Sequence, residues 1–171
     1  ESLNRFLEAY RQLMGLPAPK LAAVSLAGLI DVVARLETRM RVTVARGPQV
    51  MLRIDADQVQ QALINLVRNA SEAALGPDAA PNKEGGAQAC VRISWECSAE
   101  EVVIAITDNG PGLTNQGNLF VPFYTTKPEG TGIGLVLAQQ IAQAHKGSVQ
   151  LANRTDGSSG CRAELRLPLA D

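Results

Sequence analysis

Residues 108–113 read Asp108-Asn109-Gly110-Pro111-Gly112-Leu113, and residues 130–135 read Gly130-Thr131-Gly132-Ile133-Gly134-Leu135. This first glycine cluster follows an apolar strand pattern, and the second glycine cluster opens an apolar helix pattern. Glycine lets a backbone approach a ligand that a Cβ would block, and it adopts positive φ at low cost. Backbone N–H groups at the start of a helix attract phosphate. The two clusters therefore predict a nucleotide held at both ends, with its base near Asp108 and its phosphates near Gly130 to Gly134.

The composition is that of one globular domain. The chain has 171 residues, of which 46% are hydrophobic and 19% charged, and its net charge is −1. This length is enough to bury a core, and the charge balance gives no basic field for a nucleic-acid partner. We expect neither a signal peptide nor a bilayer-spanning segment, because no apolar run is long enough. Three cysteines without metal-ligand spacing favour reduced thiols in a cytosolic compartment over a disulfide framework.

The order of hydrophobic patterns predicts an α+β fold. Helical spacing over residues 1–14 ends in a proline-containing linker that reaches residue 19. Three further helices are predicted: one capped by Ser25, one from about Asp57 to Ala74, and one through Leu137 that ends near Gly147. Strands are predicted over residues 41–44 and 50–54, around a turn at Gly47-Pro48, and over 91–97, 102–107, 149–151 and 163–167. The pattern predicts a two-layer α/β sandwich, with one mixed sheet and helices on one face.

Two asparagines within the predicted third helix require an explanation. Asn65 and Asn69 lie one turn apart and share a helix face. Asparagine is a middling helix former and is costly to bury without partners. The two side chains either satisfy the backbone of a nearby loop or offer an amide oxygen to a hard cation. Magnesium takes only one or two protein ligands besides water and phosphate oxygens, so the glycine clusters downstream favour the cation.

Four segments resemble the motifs of the sensor histidine kinases, in family order. Residues 61–70 resemble the N box, 108–113 the first glycine box, 119–127 the F box and 130–135 the second glycine box. The resemblance covers about residues 25–169. It implies the Bergerat ATP-binding sandwich, which gyrase, Hsp90 and MutL share. The linker over residues 16–19 and the short lid resemble the nitrogen-regulation type, which includes NtrB-like and NtrY-like kinases.

The resemblance implies ATP and Mg²⁺ as cofactors and gives roles to matching residues. Asn69 is expected to ligate magnesium with Asn65 beside it, and Asp108 to accept a hydrogen bond from the adenine amino group. The residues expected to bind nucleotide are Asn69, Asp108, Gly110, Gly112, Lys127, Gly130, Thr131, Gly132, Ile133, Gly134 and Leu135, and those expected to act in phosphoryl transfer are Asn65, Asn69 and Lys127. The alternatives are a turn-capping Asp108 and a solvated Lys127. Cys161 stands where the family usually has threonine, on the adenine side.

The residue at position 65 distinguishes the ATP hydrolases of this superfamily from its kinases. The ATP hydrolases of the superfamily carry a glutamate one turn before the magnesium asparagine, as general base for water. Asn65 occupies that position here, and an amide cannot take the proton. This favours phosphoryl transfer to another acceptor, in which the protein mostly positions phosphate and neutralises charge.

The expected acceptor is a histidine on a helical hairpin that precedes the ATP domain in this family. His145 is the single histidine of the chain, and we expect it to be structural. We expect residues 1–19 to be the end of that dimerisation hairpin with its linker, and 20–171 to be the catalytic domain. The alternative is that residues 1–14 form an ordinary amphipathic helix packed on this domain. The resemblance implies a cytoplasmic protein-histidine kinase that passes its phosphoryl group to a response regulator receiver domain. The full-length protein is expected to be a homodimer, either anchored in the inner membrane or not. The alternatives are a gyrase-like or Hsp90-like ATPase module and a nucleotide-sensing module without kinase activity.

Overall fold

The computed structural model describes residues 2–76, 88–114, 116–121 and 132–169. The elements are α1 Ser2–Met14, β1 Ala22–Ser25, α2 Leu26–Leu36, β2 Val42–Val44, β3 Met51–Ile54, α3 Ala56–Leu75, β4 Val91–Cys97, β5 Glu101–Asp108, a 3₁₀ turn Gln116–Asn118, α4 Gly134–Ala144, β6 Ser148–Asn153 and β7 Cys161–Pro168. The predicted helices and strands are all present within one or two residues at most ends. β1 is an additional strand that the sequence pattern did not predict.

A five-stranded mixed sheet forms one layer, in the order β2-β4-β5-β7-β6. β2 pairs with β4 in parallel, and the other neighbours are antiparallel. Alternate residues of β4 and β5 are buried, among them Ile93, Trp95, Ile104 and Ile106, as expected for a sheet with one face against helices. The predicted α+β sandwich, with helices on one face of a mixed sheet, is confirmed.

The turn at Gly47-Pro48 joins two different sheets, although its flanking strands looked like neighbours in sequence. β2 belongs to the large sheet, whereas β3 pairs antiparallel with β1 in a separate two-stranded sheet. The chain crosses Trp95 at this point, because a Cβ on Gly47 would lie 2.7 Å from the indole ring. The indole N–H donates to the Pro48 carbonyl at 2.8 Å. The turn between the two strands therefore packs on one aromatic ring.

α3 is the central helix of the second layer and contacts α2, α4 and β5. Asp55 caps its N-terminus, since Oδ1 accepts from the Gln58 N–H at 3.1 Å. The buried stripe follows helical spacing and consists of Val59, Ala62, Leu63, Leu66, Val67, Ala70 and Ala74. The same end of α3 holds the linker, because Gln58 Nε2 donates to the Pro17 carbonyl at 2.8 Å and the Lys20 N–H to Asp55 Oδ2 at 2.9 Å.

α1 is amphipathic, yet much of its apolar surface is open. Its exposed large side chains range from 44% to 68% accessible and are Leu3, Phe6, Leu7, Tyr10 and Met14. The helix makes its contacts with the rest of the chain mainly through α4. None of the helices in the described ranges is long and apolar enough to cross a membrane.

Candidate functional site

The two glycine clusters both reach α3, two helical turns apart. Asn65 Nδ2 donates to the carbonyl of Gly134 at 3.2 Å, at the first residue of α4. Gly110 lies against Ala73, since a Cβ on Gly110 would be 2.7 Å from the Ala73 carbonyl oxygen. Eight residues separate these contacts, which is about 12 Å along the helix. Asn69 lies midway between them, half-buried on the same face of α3.

Asp108 closes β5 and is only 3% exposed. Its Oδ1 accepts hydrogen bonds from the backbone N–H groups of Gly110 at 2.9 Å and Cys161 at 3.2 Å. The turn-capping role that was an alternative interpretation is therefore real. A carboxylate offers about four acceptor positions, so turn capping and acceptance of a ligand amine are compatible at this side chain.

The glycines of the first cluster are required by contacts within the protein. Gly110 abuts the backbone of α3, as described above. Gly112 has a φ of +87°, and a Cβ there would lie 2.8 Å from Oδ1 of Asn153. Gly132, in the second cluster, also has a positive φ, of 73°. The sequence predicts that these glycines make room for a ligand, whereas the close approaches of Gly110 and Gly112 in the described structure are to other protein segments.

Cys161 lies beside Asp108, on the neighbouring strand β7. Burial, together with the Asp108 charge, raises the pKa of the Cys161 thiol to about 12. The thiol is therefore protonated at neutral pH and is a poor nucleophile. A protonated thiol adds no charge next to the carboxylate, so the electrostatics at this point are set by Asp108.

Asn65 bonds the backbone at the start of α4, whereas the alternative interpretation of the asparagine pair had both side chains bond the backbone of a loop. Its Oδ1 accepts from Gln61 Nε2 at 2.9 Å, while Nδ2 holds Gly134. Asn69 carries an amide oxygen, which is a hard donor atom, and its side chain is half-buried. The ranges that the structure describes contain no group of three His, Cys, Asp or Glu side chains that could hold a metal. This donor set fits magnesium that is held largely by water and phosphate oxygens.

The remaining predicted residues divide into two groups. Ile133 is buried just before α4, and Gly132, Gly134 and Leu135 are half-buried around the same helix start. Lys127, Gly130 and Thr131 lie outside the described residues.

His145 has the structural role that was expected. It is 7% exposed at the C-terminus of α4, where Nε2 accepts from the Asp55 N–H at 3.1 Å and Nδ1 lies 2.8 Å from the Ile141 carbonyl. The accepting nitrogen carries no proton, so these bonds fit a neutral ring with its proton on Nδ1. The side chain joins the C-terminus of α4 to the N-terminus of α3.

Sequence reasoning missed three residues that surround the first glycine cluster. Asn153, Arg154 and Ser159 come from the end of β6 and the loop that follows, and their side chains bond the backbone of residues 108, 110 and 113. The turn signal at Asp156-Gly157 marked the loop. Nothing local in the sequence indicates which distant segment the polar side chains of such a loop contact.

Comparison with known proteins is consistent with this geometry. Residues 54–171 match the family model described as histidine kinase-, DNA gyrase B-, and HSP90-like ATPase. The nitrogen regulation protein NtrY of Azorhizobium caulinodans is 37% identical over 124 residues, which are 71% of this chain and 15% of NtrY. The sensor histidine kinase ZraS of Escherichia coli O157:H7 is 30% identical over 179 residues, covering 99% of this chain and 36% of ZraS.

Solved structures agree in fold. The catalytic domain of the histidine kinase ThkA aligns with a TM-score of 0.70 and 26% identity, over 88% of this chain and 96% of that domain. ThkA has also been solved in complex with the response regulator protein TrrA. The chain spans well under half the length of NtrY and ZraS. It belongs to the histidine kinase-, DNA gyrase B- and HSP90-like ATPase family, and within it to the ATP-binding domains of sensor histidine kinases.

Proposed function

We propose that this chain binds Mg-ATP and donates the γ-phosphoryl group to a histidine on the dimerisation hairpin of its kinase. A response regulator receiver domain then takes the phosphoryl group. One observation carries the proposal: Asn69 lies midway along α3 between the contacts that the helix makes with the two glycine clusters. An amide oxygen is thus placed between the expected base end and the expected phosphate end of a nucleotide.

Each end of the site has chemistry that suits the proposed ligand. Asp108 is acceptor-only and buried, so it selects a base that presents an amine. α4 begins after Ile133, whose side chain cannot cap the helix, so the N–H groups of the first turn are suited to phosphate. Bound magnesium would neutralise phosphate charge near Asn69. Lys127, with Gly130 and Thr131, remains our prediction for further phosphate contacts.

Position 65 supports transfer to an acceptor over hydrolysis. The Asn65 amide cannot abstract a proton from water, and it is engaged on one side by Gln61 and on the other by Gly134. A gyrase-like or Hsp90-like ATPase would need a base at this point of α3. We therefore place the chain with the kinases.

The open apolar surface of α1 supports the proposed domain organisation. A single 13-residue helix is marginal in water, and its stability usually comes from packing of its apolar face. We propose that residues 1–19 are the end of the dimerisation hairpin and its linker, and that the whole kinase is a homodimer. ThkA, whose catalytic domain resembles this chain, binds a response regulator, which fits the proposed partner.

Binding and transfer can be tested separately. Isothermal titration calorimetry should detect ATP and ADP binding that strengthens with Mg²⁺; Asp108→Asn should lose most of the affinity, and Asn69→Ala mainly its magnesium dependence. Absence of nucleotide binding by the unaltered chain would refute the proposal. With labelled ATP and the purified hairpin of the same kinase, acid-labile phosphohistidine should form. Binding without transfer would support the nucleotide-sensing alternative, and rapid hydrolysis without the hairpin would support the ATPase.

A further inference from the structure

The hairpin of β6 and β7 contacts the first glycine cluster through hydrogen bonds of Asn153, Ser159 and Cys161. We infer that Asn153 and Ser159 are positioning residues: they hold residues 108–113 in the nucleotide-binding conformation and thereby set nucleotide affinity. This inference rests on the proposed function, since it concerns the same base-binding end. The loop between the two strands comprises residues 154–160 and is called the β6–β7 loop below.

Asn153 acts on Leu113 as a neighbouring strand would. The Leu113 N–H donates to Asn153 Oδ1 at 2.6 Å, and Asn153 Nδ2 donates back to the Leu113 carbonyl at 3.2 Å. β6 is an edge strand that ends at Asn153. One side-chain amide therefore replaces the two-way backbone pairing that an additional strand would supply.

The β6–β7 loop continues the same contact toward Asp108. Ser159 Oγ donates to the Gly110 carbonyl at 2.7 Å. Arg154 Nη1 donates to the Asp108 carbonyl at 3.2 Å, and its guanidinium is held by Asp156 at 2.6 Å. With the Cys161 N–H on the Asp108 carboxylate, the hairpin restrains the cluster at its beginning, middle and end.

Glycines on both sides allow the first glycine cluster and the β6–β7 hairpin to approach each other closely. A Cβ on Gly112 would meet Asn153, and a Cβ on Gly160, which has a φ of +132°, would overlap the carbonyl oxygen of Asp108. A cluster with two glycines has large conformational freedom on its own. Contacts that remove this freedom before the ligand arrives lower the entropic cost of binding. Loss of the contacts should therefore weaken nucleotide affinity even in a folded protein.

The test is the Kd for Mg-ADP, measured by calorimetry well below the unfolding temperature. Asn153→Ala removes two hydrogen bonds and should raise the Kd by about three- to tenfold, and Ser159→Ala by about two- to fivefold. Asn153→Asp keeps the acceptor for the Leu113 N–H and should have an intermediate Kd. Ser158→Ala is the matched control, because Ser158 contacts Asp156 through its backbone N–H; its Kd should not change.

The magnesium dependence separates a change at the base end of the site from a change at its phosphate end. Asn153→Ala should raise the Kd by the same factor with Mg²⁺ and with EDTA, because Asn69 and the phosphate end are untouched. If Asn153→Ala does not fold, Ser159→Ala carries the test. A Kd within experimental error of the unaltered chain in the folded positioning variants would overturn this inference alone. Failure of the unaltered chain to bind Mg-ADP would overturn the proposed function, and the inference with it.

Discussion

Replacing Gly110 with alanine tests whether the first glycine cluster rests on α3. A Cβ at this position would lie 2.7 Å from the carbonyl oxygen of Ala73 and 3.0 Å from its Cβ. Non-bonded carbon atoms prefer about 3.5–4.0 Å. The obstructing oxygen belongs to the backbone of the last turn of α3 and cannot rotate away as a side chain could. Because Gly110 is not among the glycines with positive φ, the contact alone determines the effect.

The expected cost follows from the limited ways of relieving this overlap. Either the first glycine cluster moves outward by several tenths of an ångström, or α3 shifts against the sheet. Overpacking of this kind costs about 1–3 kcal/mol. For a domain of this size, that corresponds to a fall in Tm of roughly 2–4 °C for each kcal/mol. An outward shift would also move Asp108 relative to Asn69, so the affinity for Mg-ADP should fall as well.

Urea unfolding gives the free energy directly, because Trp95 is the single tryptophan and is buried. Its fluorescence should follow the unfolding of the central sheet. Gly134→Ala is the matched control for stability: a Cβ there would lie 4.0 Å from the Cβ of Asn65, which is ordinary contact. At the first residue of α4, alanine should leave stability unchanged or raise it by up to about 1 kcal/mol. The reasoning is refuted if Gly110→Ala unfolds at the same urea concentration as the unaltered chain.

Two further predictions concern ionisable groups. The pKa of Cys161 is raised to about 12 in the fold, so the thiol of the unfolded chain loses its proton at lower pH. The free energy of unfolding should therefore fall between about pH 9 and pH 12, by up to about 1.4 kcal/mol per pH unit. Cys161→Ala should reduce this pH dependence in urea titrations, and an unchanged pH dependence would contradict the assignment. The Arg39 guanidinium outweighs burial and lowers the pKa of Glu37 to about 2, so this stabilisation is present above about pH 4.5 and is lost as the pH falls toward 2. Arg39→Met should therefore destabilise the chain by about 1–2 kcal/mol at pH 7, after allowance for the half-exposed Arg39 side chain, and flatten its acid unfolding limb. Arg162→Met should change stability by less than about 0.5 kcal/mol, because its partner Glu164 is more exposed than Glu37 and keeps a second pair with Arg166. Equal effects of the two variants would count against a special role for Arg39.

The elements of this fold were predictable because each carries a strong local pattern. The buried stripe of α3 repeats with helical spacing over 20 residues, and β4 alternates buried and exposed residues along its length. β1 escaped prediction because its four residues are mostly exposed and carry no alternation. The division into two sheets also escaped, since β2 and β3 each pair with a strand that is distant in sequence rather than with each other.

The sequence indicated which glycines belong to the candidate site, but it did not indicate which contacts require them. The positive φ of Gly112 and Gly132 is a local property that glycine signals by itself. The neighbours that require a glycine are distant: Ala73 lies 37 residues before Gly110 in sequence, and Asn153 lies 40 residues after Leu113. A sequence shows that a backbone needs room, but it does not show whether a ligand or another segment approaches it.

The contacts of Asn65 link the choice between kinase and hydrolase to the packing of two helices. A glutamate at this position would supply a general base and could still accept the hydrogen bond from Gln61. It would lose the donor to the Gly134 carbonyl, however, and would bring a negative charge toward that oxygen. The contact between α3 and the start of α4 would then be repulsive, at the point where the second glycine cluster ends. Acquisition of a water-activating base would therefore need a rearranged helix start as well as one substitution, which supports the proposed phosphoryl transfer over hydrolysis.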